Sequence, residues 1–239
     1  VTPIAILSDH DDKLKKGIVS PYLFPSVAVL DAELTVGLPP QVTAATGMDA
    51  LIHAIEAYTS KNADMMSDML AEKAMVLIYK NIRKAYTNGE NLEARLNMLE
   101  GSLLAGMAFA NAGVTAVHAF AYPIGAEFHI PHGVANSIML VPVMEFNLSG
   151  MLGRFARISE LIGLETSGLN EEQKAEMVLE ELRKLSKDLG IPESLSVFGI
   201  KDEHIAGLAE GVMKVTRLLA NNPRELNVGD AEDIYRKVL

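Results

Sequence analysis

The stretch TGMDALIHAIEAY covers residues 46–58 of this 239-residue chain. Its apolar residues recur at the spacing of an α-helix, and we expect a helix from about Thr46 to Tyr58. Asp49 and His53 lie four positions apart in it, so both side chains face the same side of the helix about one turn apart. The stretch therefore predicts a helix that carries an acid–histidine pair on one face.

Upstream of this helix, residues 1–35 have the character of short extended pieces. Residues 4–7 and 27–30 are apolar and compatible with β-strands. Two such pieces are too few for a stable sheet, so we expect them to be the edge of a sheet whose other strands lie elsewhere. The chain starts at Val1 without an initiator methionine, and we expect further sequence to precede it.

Downstream, the hydrophobic period stays helical to the end of the chain. The segment 171–189 is the clearest helix, because Asn170 and Gln173 form a capping-box pattern at its start. The expected fold is mainly α, with an all-helical domain over 36–239 and a β fringe over 1–35. The other predicted helices cover 64–86, 92–110, 114–122 (which Pro123 kinks or ends), 134–147, 151–162, 202–220 and a short C-terminal segment.

Composition excludes several classes of function. The formal net charge is −10, with 21 Lys and Arg against 31 Asp and Glu, which argues against binding to nucleic acid or to an anionic membrane. There is no cysteine, so disulfides and thiolate metal sites are excluded. No apolar run approaches the roughly 20 residues that span a bilayer, and the N-terminus lacks signal-peptide features. We expect a cytoplasmic protein.

Two further histidines suggest a metal site. His118 lies among small apolar residues in AVHAFA, and His132 lies in IPHGVA. Together with Asp49 and His53 they would provide three imidazoles and one carboxylate, a donor set suited to Fe(II) or Zn(II). The pair on the first helix also has simpler interpretations: with Thr46 as N-cap, Asp49 would cap the helix, and His53 could be a hydrogen-bonded core residue. These residues alone leave both interpretations open.

Three stretches resemble the iron-containing alcohol dehydrogenase family. DAELTVGLPPQVTAATGMDALIHAIEAY (31–58) looks like its first signature, and HAFAYPIGAEFHIPHGVA (118–135) looks like its second. NNPRE (221–225) is similar to a recurrent feature near the family's C-terminus. The resemblance implies a helical-bundle domain of the dehydroquinate synthase-like type. It also implies one metal ion, and its four ligands match Asp49, His53, His118 and His132.

The resemblance implies NAD or NADP as a cofactor, but two family elements are not found here. A Gly-Gly-Gly-Ser turn that binds the pyrophosphate and a Thr-rich loop beside the nicotinamide are missing from the sequence. We expect this chain alone to bind NAD(P) poorly and to have little or no activity. Lys15, Leu34 and Phe109 resemble remaining cofactor contacts, although an exposed lysine and two core residues would be the simpler interpretation.

One departure from the family affects proton transfer. Many members carry a histidine at the position of Tyr122, whereas a tyrosine has an ordinary pKa near 10 and is a poor base at neutral pH. Tyr122 would then shape the pocket, hold a hydrogen bond or simply fill space. His129 is the alternative proton relay, although a solvated loop histidine is its simpler interpretation. His10 and His204 lie in charged stretches and receive no role.

The resemblance implies an oxidoreductase that interconverts small alcohols and aldehydes by hydride transfer to a nicotinamide, with the divalent ion binding the substrate oxygen. Two alternatives remain: a zinc-dependent glycerol dehydrogenase-like or dehydroquinate synthase-like enzyme, and a non-catalytic helical metal-binding module. An incomplete sheet would leave apolar surface exposed, so we also expect a homo-oligomer.

Overall fold

Ten α-helices make up most of the described chain, and a two-stranded sheet lies at its N-terminal end. The computed structural model describes residues 1–9 and 14–239, without the side chains of residues 8–16. The strands are β1 (Ile4–Asp9) and β2 (Leu14–Val19). The helices in chain order are α1 (Pro40–Thr59), α2 (Met65–Thr87), α3 (Leu92–Ala112), α4 (Ala116–Glu127), α5 (His132–Asn147), α6 (Leu152–Leu161), α7 (Glu171–Asp188), α8 (Asp202–Met213), α9 (Thr216–Leu219) and α10 (Val228–Arg236). The prediction of a mainly α fold with a short β fringe is confirmed.

Helix α1 begins earlier than the sequence pattern predicts. Pro40 is its first residue, where a proline's missing N–H costs nothing and its fixed φ suits the helix. The predicted start at Thr46 is wrong: the Thr46 hydroxyl donates to the Val42 carbonyl from within the helix. Asp49 therefore lies well inside α1, and the interpretation that it caps this helix is wrong.

Helix α1 is largely enclosed, because it packs against α2, α3 and α5. Met48, Leu51, Ile52 and Ile55 are all at most 1% exposed. Burial on nearly every side explains why the helix has few polar residues. Among its polar side chains, Glu56 is fully buried and Asp49 and His53 are only partly exposed, so α1 carries polar groups into the core.

The β fringe differs from its prediction. β1 pairs with β2 in antiparallel register, with Ile4 opposite Val19. The strand predicted at residues 27–30 is wrong, since that segment has no regular structure. The pattern missed β2 because lysines in the sequence of this strand hide its apolar residues.

Three helix predictions are also settled. The capping box of α7 is confirmed, since Asn170 accepts a hydrogen bond from the Gln173 N–H at 2.9 Å and the Gln173 side chain accepts one from the Asn170 N–H. The helix predicted over 202–220 is wrong as a single element, because it breaks into α8 and α9. Helix α4 does not end at Pro123 and continues to Glu127.

The segment between β2 and the start of α1 is rich in exposed apolar side chains. The most exposed is Tyr22, at 96%. Others that are large, apolar and exposed there are Leu23, Phe24, Val27, Val29, Leu34 and Leu38.

Within residues 1–9 and 14–239, no single helix is long and apolar enough to cross a membrane. Helices α3 and α4 satisfy the length and composition criteria only when taken together, and they are bent by 104°.

Candidate metal centre

Three separate helices bring their polar side chains to one point. One ligand atom from each of Asp49, His118 and His132 lies within 4.8 Å of the other two. The Nε2 atoms of His118 and His132 are 3.7 and 3.8 Å from Asp49 Oδ1. Residues separated by up to 83 positions in the sequence thus converge where the resemblance predicts a metal.

His53 lies beside this group. Its Nδ1 is 3.9 Å from Asp49 Oδ2, and its ring stacks on His118 with ring centres 4.6 Å apart. The ring also stacks on Phe109 of α3 at 4.5 Å. Phe109, predicted to contact the cofactor, therefore touches one of the predicted metal ligands.

Asn136, one turn after His132 on α5, was not anticipated from the sequence. Its Nδ2 donates to Asp49 Oδ1 at 2.6 Å and lies 3.1 Å from His132 Nε2. The side chain is fully buried, and its Oδ1 has no hydrogen-bond partner among the described residues. Its i+4 spacing from His132 was the only available signal, and it indicates no more than a shared helix face.

Glu56, one turn beyond His53 on α1, was also missed. It is 0% exposed, and its carboxylate forms a hydrogen bond with His118 Nδ1. It also accepts hydrogen bonds from Thr115 and Val117 at the start of α4. A carboxylate inside the apolar run of residues 46–58 was a usable signal, because an acid is almost never fully buried unless it is paired.

The close approach of α5 to α1 depends on Gly133. A Cβ at this position would lie 2.1 Å from the Ala45 carbonyl oxygen. Only glycine allows the two backbones to meet so closely, and this contact seats the adjacent His132 next to α1.

The NNPRE motif holds the start of α4 in place. The Asn221 side chain donates to the Val114 carbonyl at 3.0 Å. Asn222 is fully buried and exchanges two hydrogen bonds with the side chain of Asn147, at 2.8 and 2.9 Å. Its Oδ1 also accepts from the Ala116 N–H at 3.4 Å. The motif therefore fixes the segment that leads into His118.

The charges of the cluster are set by burial and by proximity. Burial would raise the pKa of Asp49, but the three nearby imidazoles hold that pKa below its ordinary value. Burial, together with the neighbouring His118, lowers the pKa of His53 to about 4. An ionised carboxylate and a neutral imidazole are the forms that bind a metal ion. Burial would lower the pKa of His118 as well, but the adjacent Glu56 carboxylate raises it, so this ring would release a proton when an ion binds.

One structural observation directly supports a divalent cation at this site. His118 is 2% exposed, and its Nε2 finds no hydrogen-bond partner within the described part of the chain. A buried polar atom without a partner is costly, so it needs an explanation. A bound cation would satisfy this nitrogen and would use the oxygen and nitrogen donors around it.

The remaining predicted residues lie around or beyond the cluster. Tyr122 is half-buried, its ring lies 6.1 Å from that of His132, and burial raises its pKa. His129 is exposed in the loop between α4 and α5, with a left-handed φ of 54°. Leu34 is 82% exposed. The Lys15 side chain and His10 lie outside the described residues.

Known proteins resemble this chain over nearly its whole length. It is 44% identical to long-chain-alcohol dehydrogenase 1 of Geobacillus thermodenitrificans, a match that covers 98% of this chain and 59% of that protein. It is 42% identical to 1,3-propanediol dehydrogenase of Citrobacter freundii, covering 99% and 61%. A crystal structure of 1,3-propanediol oxidoreductase superposes with a TM-score of 0.97 at 41% identity, covering 100% of this chain and 62% of that one.

The fold and the site together define a helical domain with a candidate centre for a divalent metal. Residues 43–239 match the family described as "Fe-containing alcohol dehydrogenase family, C-terminal". The chain therefore belongs to the iron-containing alcohol dehydrogenase family. It spans about 60% of the length of the relatives that it matches.

Proposed function

We propose that this chain provides the metal centre of an oxidoreductase that interconverts small alcohols and aldehydes with NAD or NADP. The observation that carries the proposal is the convergence of Asp49, His118 and His132 around an unpartnered buried nitrogen. The names of its relatives, which include a long-chain-alcohol, a 1,3-propanediol and a methanol dehydrogenase, support a hydroxyl-bearing substrate.

Asp49, His118 and His132 would hold the ion, with His53 as the fourth ligand. Fe(II) is the first choice because of the family, and Zn(II) suits the same donors. When bound, the cation supplies Lewis-acid character that favours the deprotonated form of an alcohol. The protein contributes a preorganised site, since Asn136 holds Asp49 and His132 together.

Proton transfer at the centre is assigned to the remaining polar groups. The raised pKa of Tyr122 keeps its hydroxyl protonated at neutral pH, so it orients groups in the cleft and does not act as a base. His129 in the exposed α4–α5 loop is the proposed proton relay.

Lys15, Leu34 and Phe109 are the residues that we propose as cofactor contacts. We propose that residues 1–35 belong to a nucleotide-binding unit and residues 36–239 to the metal-binding domain. The glycine turn that would bind the pyrophosphate is not in this sequence, so NAD(P)-linked turnover by the 239-residue chain should be low. The exposed apolar side chains between β2 and α1 support self-association of this chain.

Metal stoichiometry tests the proposal. Purified protein, dialysed against Fe(II) without oxygen or against Zn(II), should retain one ion per chain, and His118→Ala and His132→Ala should retain far less. His204→Ala is the matched control, because that imidazole accepts a hydrogen bond from the Lys201 backbone at the start of α8. Equal metal content in the wild-type protein and in both site variants would refute the assignment.

A further inference from the structure

The carboxylate of Glu56 is the most enclosed charge in the described cluster. It shares α1 with Asp49, but its oxygens point to hydrogen-bond donors of the protein. One oxygen accepts three hydrogen bonds and the other faces an imidazole nitrogen, the surroundings that stabilise an ionised carboxylate. These partners are all on α4 or immediately before it.

One oxygen of Glu56 caps helix α4. Oε1 accepts from the Thr115 N–H at 3.0 Å, from the Val117 N–H at 2.8 Å and from the Thr115 hydroxyl at 2.7 Å. Thr115 is the N-cap residue, and its own side chain does not cap the helix. A negative charge at a helix N-terminus is favourable, and here it comes from a different helix.

The other oxygen, Oε2, meets His118 at Nδ1. An ionised carboxylate can only accept a hydrogen bond, so Nδ1 must carry the proton. In the neutral ring, Nε2 then carries a lone pair instead of a hydrogen. That nitrogen is the buried atom that lies 3.7 Å from Asp49 Oδ1.

We propose that Glu56 is a positioning residue that sets the tautomer of His118, and that the same carboxylate fixes the start of the helix that carries it. The proton is held at Nδ1, and the lone pair of Nε2 faces the space shared with Asp49 and His132. The purpose of this arrangement rests on the proposed metal centre, but the tautomer is a property of the metal-free protein.

Glu56→Gln tests the inference with almost no change in shape. The amide oxygen can still accept from the Thr115 and Val117 N–H groups, which places the NH₂ group against His118 Nδ1. Nδ1 must then accept, and the proton moves to Nε2. We expect ¹⁵N NMR of the metal-free protein, above the titration of the ring, to show the Nδ1–H tautomer in the wild type and Nε2–H in the variant.

The variant should also bind Zn(II) and Co(II) about 10–100-fold more weakly, the usual cost of removing a hydrogen-bond partner of a metal ligand. Thr115→Val is the matched control. It removes a hydrogen bond to the same carboxylate but leaves the one to His118, so both the Nδ1–H tautomer and the metal affinity should stay close to those of the wild type.

The outcomes separate this inference from the proposed function. An Nε2–H tautomer in the wild type overturns it, and this measurement needs no variant to fold. The same tautomer in the wild type and in Glu56→Gln also overturns it, even if both bind metal. If the wild type binds no metal while the tautomers differ as expected, the proposed function fails and the positioning role of Glu56 stands.

Discussion

Among the polar clusters that tie helices together in the described residues, two differ in which of their donors and acceptors stay unpaired. Between α2 and α7, Arg83 donates to Asp188 and to Glu181 at 2.8 Å, and the Tyr79 hydroxyl donates to Glu181 at 2.7 Å. At the candidate metal centre, His118 Nε2 and Asn136 Oδ1 have no such partners among the described residues.

Unpaired buried atoms distinguish a binding site from a cluster that only stabilises the fold. The α2–α7 cluster is partly exposed, and its charges satisfy one another. At the centre on α1, α4 and α5, the two unpaired atoms belong to His118 and Asn136, which are 2% and 0% exposed, and at such depth each unused donor or acceptor is costly. A fold keeps such a cost when a ligand offsets it, so unpaired buried atoms indicate function more strongly than ion pairs do.

The largest expected effect is stabilisation of the folded protein by a bound metal ion. Zn(II) at about 1,000 times its dissociation constant should raise the free energy of unfolding by about 4 kcal/mol, because the ion binds only the folded centre. Thermal unfolding with Zn(II) and with a chelator measures the difference. His132→Ala should lose most of this shift, and an equal shift in both proteins would mean that Zn(II) stabilises the protein elsewhere.

Gly133→Ala should have the next largest effect, because the added Cβ would lie 2.1 Å from the Ala45 carbonyl oxygen. Overpacking of this kind costs about 1–3 kcal/mol, and moving α5 away from α1 should also weaken metal binding. Urea unfolding and a Zn(II) titration measure the two effects.

The control for this prediction is Gly207→Ala in α8, where a Cβ would meet nothing within 4 Å. The higher helix propensity of alanine should stabilise this variant by about 0.5–1 kcal/mol. Similar stability of the two variants would contradict the role assigned to the contact between Gly133 and Ala45.

The smallest effect should come from removing an ion pair of the α2–α7 cluster. Arg83→Gln should cost about 1 kcal/mol or less, because its partners are partly exposed and screened by water. The loss should shrink further in high salt, as measured by urea unfolding at two ionic strengths. Metal affinity should not change; a clear loss of Zn(II) binding in this variant would show that the two clusters are coupled.

The sequence predicted helices well and their boundaries less well. Asn170 with Gln173 predicted the start of α7 because a capping box is a local interaction. Thr46 was predicted as the N-cap of α1 because threonine is favoured at that position. The helix instead begins six residues earlier at Pro40, since proline suits the first helical position. The break between α8 and α9 carries no proline, so periodicity continued through it.

Spacing and resemblance predicted the candidate metal ligands, but they did not predict the residues that form hydrogen bonds with those ligands. Asp49 and His53 are related by one helical turn, which a sequence shows directly. The contacts of Glu56 and Asn136 depend on which helix lies opposite each of them. The hydrogen bond between Glu56 and Thr115, for example, joins residues 59 positions apart. Such pairings belong to the tertiary fold and have no local pattern.

His132 is the more open of the two imidazoles beside Asp49 Oδ1. Its side chain is 47% exposed, whereas that of His118 is 3% exposed and its Nδ1 faces the buried Glu56. Solvent therefore reaches the centre past His132, and we expect an ion to enter and leave on the α5 side.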